Sequence, residues 1–339
     1  MTGTGPADWR DWTVKPIVVT GAAGTVGSHV VRTLLAGGRP VVATDQLPEP
    51  GVLLSGLDRL DYRRMDICDL SQIVAIIKDV GPEVVIHMAA LVGDWYNLHP
   101  LANLNTNLGG TLNMLEACRL MDVKRLVFAS TWALYGGLEG TPHSHPEYKP
   151  VPEDMPPVLV RPYEIVKYSC ERYAAWYRKM YGLEFAAVRF GSYYAAERML
   201  QVEARSSGAF NDMIRAVGNG RPYRLEAGGD QGFDAVYVKD CAAGVTAAAL
   251  AESTPSGVYN IGAGKASTLL EAAAVLRDLV PGIDISVGPG LLQAKHYCAL
   301  DISRARNEIG YDPGFSLREG LADCLSEIKC WKTRLGHRC

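Results

Sequence analysis

The run Ile17-Val18-Val19-Thr20-Gly21-Ala22-Ala23-Gly24-Thr25-Val26-Gly27 constrains the fold of this chain more than any other stretch. Its first four residues are the short β-branched run expected of a buried parallel strand. Three glycines follow, spaced G-x-x-G-x-x-G. Ser28 to Leu35 then reads as a helix closed at Gly37-Gly38, and Val41 to Thr44 as a second strand ending at Asp45, eighteen residues after Gly27. Glycines at such a turn tighten it, let backbone approach a pyrophosphate and let the helix pack close to the strand. The helix N-terminus offers free N–H groups and a positive dipole to the phosphates. Gly21, Ala23, Gly24, Thr25, Val26 and Gly27 therefore read as a phosphate turn, with Asp45 and Gln46 at the ribose. Asp45 can accept bonds from both ribose hydroxyls. It would repel a 2′-phosphate, and no arginine follows it, so NAD is favoured over NADP.

The alternation continues down the chain. A strand around Tyr62 to Met65 leads to Asp66 and Ile67, where an acid could meet an adenine amino group or cap a helix. Ser71 to Val80 reads as a helix stopped by Gly81-Pro82. Val84-Val85-Ile86 is a fourth strand, and the small residues after it, in His87-Met88-Ala89-Ala90, leave room for the cofactor to pass. His87 reads as a hydrogen-bonded structural histidine, and no metal site is expected. Leu101 to Met121 reads as one long helix, with Asn107 near the active site. Arg125 to Ala129 is a fifth strand ending in the hydroxyls Ser130-Thr131, at the edge where open parallel sheets gather ligands. Residues 137–162 hold seven prolines and read as a surface loop beside the substrate cleft. A helix from Tyr163 to Tyr181 and a strand from Phe185 to Arg189 follow. Strands are also expected at Asp234 to Val238 and Gly257 to Ile261. The fold class is thus α/β, a Rossmann-type doubly wound parallel sheet with a smaller, mostly C-terminal substrate-binding domain. Residues 15–195, with 235–262 returning, form the dinucleotide domain; 196–234 and 263–332 form the other.

Tyr163 and Lys167 lie four apart, so a helix puts both on one face. A phenol is a poor base at neutral pH. A lysine cation beside it favours the phenolate and lowers its pKa, which would let Tyr163 exchange a proton with an alcohol while a cofactor exchanges a hydride. Pro162 suits the first turn of such a helix.

Composition narrows the classes. The net charge of -3 argues against a protein that binds nucleic acid by neutralising phosphates. No apolar run approaches the ~20 residues of a membrane helix, and the first fourteen residues read as a polar tail. The eight cysteines are scattered without a C-x-x-C pair, the usage of a reducing cytoplasmic setting.

Taken in order, TGAAGTVG, HMAA, NLGGTLNMLEA, FASTWALYG, PYEIVK, VRFGS, GVYNIGAG and DISRARNEIGY resemble the extended short-chain dehydrogenase/reductase family, the NAD-dependent epimerase/dehydratases, from about Lys15 to Leu325. The resemblance implies a catalytic trio of Thr131, Tyr163 and Lys167: Thr131 on the substrate oxygen, Tyr163 as general base or acid, Lys167 on the nicotinamide ribose. It also implies that Asn107 orders a water nearby, and that two copies pair through the helices Leu101 to Met121 and Tyr163 to Tyr181. Dehydratases and decarboxylases of the family carry an acid shortly after the strand-end hydroxyl. Here Trp132-Ala133 follow Thr131, the pattern of an epimerase or simple dehydrogenase. Ser192 stands where nucleotide-diphosphate binders usually have asparagine, and Phe233 where they have arginine. Near a further usual arginine this chain has only Lys295-His296. Arg205, Arg215, Arg221, Arg224 and Lys295 could supply another clamp, and Trp95, Trp132, Tyr193 and Tyr194 could stack on a sugar. The expected activity is NAD-dependent hydride transfer at a secondary alcohol of a sugar or sugar-nucleotide-like substrate, with epimerisation slightly favoured. The alternatives are net oxidation or reduction of a non-nucleotide polyol or sugar, and an NAD-binding regulatory protein without turnover.

Overall fold

The β-branched runs do form strands buried on both sides. Ile17 and Val19 face one half of the core and Val18 the other; Val41 and Ala43 likewise oppose Val42. The computed structural model describes residues 14–57, 60–93, 97–200, 208–292 and 298–334. Seven strands make the central sheet: β1 (Ile17–Thr20), β2 (Val41–Asp45), β3 (Asp61–Arg64), β4 (Val84–His87), β5 (Arg125–Thr131), β6 (Glu184–Phe190) and β7 (Val258–Ile261). Their order is β7-β6-β5-β4-β1-β2-β3, and every pair is parallel. The order reverses between β1 and β4, which makes the carboxyl ends of those two strands the crevice where such sheets bind ligands.

Helix α1 (Thr25–Ala36) packs against α5 (Val238–Leu250) on one face of the sheet. On the other lie α2 (Leu70–Val80), α3 (Gly110–Leu120) and α4 (Pro162–Tyr181). Asp69, rather than Asp66, caps α2, its carboxylate accepting from the Ser71 and Gln72 N–H groups. Helix α4 starts where it does for three reasons. Pro162 occupies its first turn, the Glu164 carboxylate accepts from the Arg161 N–H at 2.8 Å, and the Arg161 guanidinium bonds the same carboxylate at 2.6 Å. Gly182, left-handed at φ 73°, ends it.

Three expectations need correction. The helix expected over Leu101 to Met121 is not uniform: Pro100–Asn103 is α-helical, Leu104–Gly109 is a π-helical turn, and α3 follows. An added Cβ at Gly110 would fall 2.6 Å from Ile67 Cδ1, so this glycine lets the helix close on the segment after β3. The strand expected from Asp234 to Val238 is shorter, Ala235–Tyr237, and pairs in parallel with Ser192–Tyr194 outside the main sheet. The proline-rich loop is partly interior. Val151, Tyr148 and Glu153 are buried, because Val151 exchanges backbone bonds with Ala299 and Asp301, and the Gly232 N–H donates to the Tyr148 hydroxyl at 2.8 Å.

Candidate active site

The glycine turn has no room for side chains. Gly21 sits at φ +64°, and a Cβ there would lie 2.5 Å from the Ala89 nitrogen; a Cβ at Gly27 would lie 2.1 Å from the Gly21 carbonyl oxygen. No side chain caps α1 at Gly24, and no acid occupies its first turn. Its N–H groups and dipole are therefore presented without a competing anion. Val26 is buried in the core, so only its backbone can serve a phosphate, whereas Thr25 is half-buried and offers its hydroxyl as well as its backbone. Asp45 Oδ2 accepts from the Ala23 N–H at 3.1 Å, which fixes the carboxylate at the end of β2. One groove is lined by Gly21, Gly24, Asp45, Gln46, Asp66, Ile67, Met88, Ala89 and Ala90. The structure thus gathers the expected cofactor residues of four strand ends at the switch point, and the fit to NAD is good: cradle, dipole and ribose acid are all present. Asp66 is exposed there, with Oδ1 accepting from the Cys68 N–H.

The second cluster lies at the end of β5. The Thr131 hydroxyl lies near enough to the Tyr163 phenol to favour its ionisation, and Thr131 Oγ1 accepts from the Ala133 N–H at 3.1 Å. Lys167 is buried and donates from Nζ to the Ala129 carbonyl at 2.7 Å. Its Nζ lies 5.8 Å from the centre of the Tyr163 ring. Burial pulls Lys167 down to about 8, with Cys170 and Glu171 opposing. The Tyr163 phenol is not lowered as expected. Burial pushes it above its ordinary value, and Thr131 and Arg161 only partly offset this. Desolvation of a phenolate outweighs a cation whose nearest partner is a carbonyl on the neighbouring strand.

Asn107 is buried in the π-helical turn, but its amide is already committed. Oδ1 accepts from the Leu91 N–H at 2.7 Å, and Nδ2 donates to Leu91 O at 2.8 Å and Asn103 Oδ1 at 2.6 Å. It has no donor left for an ordered water and instead pins the backbone that leaves β4. His87 is structural, as expected. The Thr111 hydroxyl donates to Asn107 O at 2.6 Å, so it accepts from His87 Nε2 at 3.2 Å; His87 Nδ1 then accepts from Thr20 at 2.8 Å. Burial, and secondarily Lys167, lowers His87 to about 3, keeping it neutral.

The substrate candidates divide. Trp132 and Ser192 are half-buried. Tyr193 is close enough to Tyr163 to oppose its ionisation. Phe233 packs in the core, its ring 4.5 Å from that of Phe210, so it is not in place to hold a charge. Lys295, Trp95 and Arg205 lie outside the described residues. Arg224 is exposed and paired with Asp284.

Several residues escaped the sequence reading. Asn97 Oδ1 accepts from the Tyr163 N–H at 3.2 Å. Arg198 sits over the Tyr193 ring, 4.7 Å from its centre. Glu171, Arg189 and Ser130 form a buried cluster directly behind the trio. Glu171 extends the Tyr163–Lys167 stripe by one turn, a signal that was available in the spacing.

Known proteins resemble this chain over most of its length. A model of the NAD dependent epimerase/dehydratase family matches residues 17–262. The UDP-glucose 4-epimerase of Mycolicibacterium smegmatis is 30% identical over 314 residues, covering 90% of this chain and 96% of that protein. Among solved structures, UDP-glucose 4-epimerase of Thermotoga maritima with UDP-glucose superposes with a TM-score of 0.79 at 26% identity, covering 93% of this chain and 99% of that one. The Thermus thermophilus UDP-glucose 4-epimerase complex with NAD gives 0.75 at 29% identity, covering 93% and 99%.

Proposed function

From the premise that the chain belongs to the NAD-dependent epimerase/dehydratase family, and acts with NAD on a secondary alcohol of a sugar or sugar-nucleotide-like substrate, we propose that its net reaction is redox-neutral epimerisation of a nucleoside-diphosphate sugar. The carrying observation is the juxtaposition of Thr131 and Tyr163, with Thr131 followed by Trp132-Ala133 rather than by a carboxylate that could drive an elimination.

Gly21, Gly24 and the α1 N-terminus hold the pyrophosphate, Asp45 the adenosine ribose, and Lys167 the nicotinamide ribose. Bound NAD supplies the acceptor, and later the donor, of a hydride. Thr131 orients the substrate hydroxyl toward Tyr163. Tyr163 as phenolate would take the hydroxyl proton as the carbinol carbon is oxidised to a ketone, and as phenol would return that proton when the ketone is reduced on its other face to give the epimer. Residues 15–195 and 235–262 carry this cofactor chemistry, and residues 196–234 and 263–332 shape the substrate side. Arg198, over the Tyr193 ring, is a guanidinium placed to suit a substrate phosphate.

Incubation with UDP-sugars and NAD tests the reading. The expected result is an epimer that carries no solvent deuterium at carbon, with no net NADH. Stoichiometric accumulation of NADH would overturn it in favour of a net dehydrogenase. That second reading draws support from buried, apolar Phe233, and it predicts that free sugars or polyols, rather than sugar nucleotides, raise the melting temperature.

The active unit is proposed to be a homodimer in the cytoplasm. Leu101, Leu104, Ile165, Tyr173, Trp176 and Met180 are exposed on two helical segments packed side by side, a contiguous apolar face of the kind that marks an interface. The seven described cysteines are all free thiols, as a reducing compartment requires. No described helix is long and apolar enough to cross a membrane. Sedimentation should give a dimer for the parent and a monomer for Trp176→Glu.

A further inference from the structure

Three successive turns of α4 grip three adjacent residues of β5. Tyr163 faces the Thr131 hydroxyl, Lys167 Nζ donates to the Ala129 carbonyl at 2.7 Å, and Glu171 Oε1 accepts from Ser130 Oγ at 2.5 Å. Of the three helix residues only Glu171 carries a fixed buried counter-charge. Arg189 on β6 meets it in a two-pronged pair, Nε to Oε1 at 2.9 Å and Nη2 to Oε2 at 2.6 Å, and both side chains are about 5% exposed or less. A paired fork of this kind specifies angle as well as distance. Arg189 is itself held: Nη1 donates to the Tyr135 hydroxyl at 2.8 Å and to Glu153 O at 3.1 Å, and Tyr135 donates to Asn260 Oδ1 at 2.7 Å. The Asn260 N–H closes the chain on Glu153 Oε1 at 2.9 Å. The anchor of α4 therefore runs through β6 to β7.

We propose that Glu171 is a positioning residue for the reaction: clamped between Ser130 and Arg189, it sets the register of α4 on β5 that brings Tyr163 to Thr131 and Lys167 to Ala129. The inference rests on the reading of Thr131, Tyr163 and Lys167 as the catalytic trio. Glu171 touches neither substrate nor cofactor. It acts in two ways. Its geometry fixes the helix, and its charge supports the ammonium one turn away. The titratable and charged groups around Lys167 are Tyr163, Cys170 and Glu171 on its own helix, His87 on β4 and, behind Glu171, Arg189 on β6. Only Glu171 in that set is a carboxylate. Its charge opposes the burial that draws the proton from Lys167, so its loss moves deprotonation of Lys167 to lower pH.

Three variants of the full-length protein test this with NAD bound. Ser130→Ala cuts the tie to β5 and leaves the ion pair. Glu171→Asp keeps the charge on a shorter arm. Glu171→Gln keeps the shape and removes the charge. Ser130→Ala and Glu171→Asp are expected to lower kcat about tenfold to a hundredfold, the scale of a small misplacement of reacting groups, with KM and NAD affinity within about twofold of the parent. Glu171→Gln is expected to shift the alkaline limb of the kcat–pH profile about one unit to lower pH, a readout that a merely structural ion pair would leave in place. Should Glu171→Gln fail to fold, Ser130→Ala and Glu171→Asp decide. Parent-like kcat in both, in proteins that melt like the parent, overturns the proposal, as does an unmoved alkaline limb in a folded Glu171→Gln. Parent-like turnover by Tyr163→Phe would instead remove the trio reading, whatever the Glu171 variants do.

Discussion

Lys167 and Ala129 are joined by a 2.7 Å hydrogen bond from the ammonium to the strand carbonyl, in a place where the lysine is 2% exposed. A buried cation held this way is fixed in position without being neutralised, since a carbonyl accepts but does not cancel charge. It stands one helical turn from a phenol that burial itself makes reluctant to ionise. The machinery is thus arranged spatially before Tyr163 is acidic enough to be a base. Thr131 and Arg161 offset part of that burial, and the positive charge of an oxidised nicotinamide, where bound, would favour the phenolate further.

Tyr163→Phe should reduce kcat by about 10²- to 10⁴-fold, the range for removing a general acid–base group, while NAD affinity stays near that of the parent. Thr131→Val should cost less, because it orients the proton without carrying it. Single-turnover kinetics alongside fluorescence titration of NAD separates the two effects.

Gly27→Ala should damage the cofactor site and the fold together. The new methyl would lie 2.1 Å from the Gly21 carbonyl oxygen, and that atom is backbone, so the turn has to open. NAD affinity is expected to fall at least about tenfold, roughly 1.4 kcal/mol. Asp45→Ala should weaken NAD binding without this steric cost and narrow the preference for NAD over NADP. Equilibrium titration with both dinucleotides reads out each change.

Asn107→Ala should destabilise through unpaired polar groups more than through lost volume. It strands the Leu91 N–H and carbonyl and frees Asn103 Oδ1. At about 1–3 kcal/mol for a buried orphan, a loss on the order of 3 kcal/mol is expected, read as a lower urea midpoint at an unchanged slope.

His87 should make the protein acid-labile. Its folded pKa, about 3, lies below the ordinary 6.5, so on acidification the unfolded state takes up the proton first. The stability contributed by neutral His87 is complete above pH 6.5 and is lost as the pH falls toward 3. At pH 5 the loss is on the order of 2 kcal/mol. His87→Gln should therefore be less stable than the parent at pH 8 yet show a shallower decline between pH 6.5 and 5, by chemical denaturation at each pH.

The dinucleotide half of this molecule was readable because its signals are local. A β-branched run, three glycines at fixed spacing and an acid at the next strand end each act over a few residues, and together they determine strand, turn, helix and the groove where Gly21, Asp45 and Ala89 meet. The i, i+4 spacing of Tyr163 and Lys167 likewise puts both on one helix face. What only the tertiary structure decided involves partners far apart in the chain. Ser130, Glu171 and Arg189 meet through two strands and a helix, and no periodicity in any one of them announces the other two. The π-helical turn at Leu104–Gly109 and the full commitment of the Asn107 amide to Leu91 depend on how β4 ends. The raised pKa of Tyr163 had to come from the packed protein as well. Spacing along a helix reports which groups are neighbours, but ionisation follows the water removed from around them, and that is a property of the folded whole.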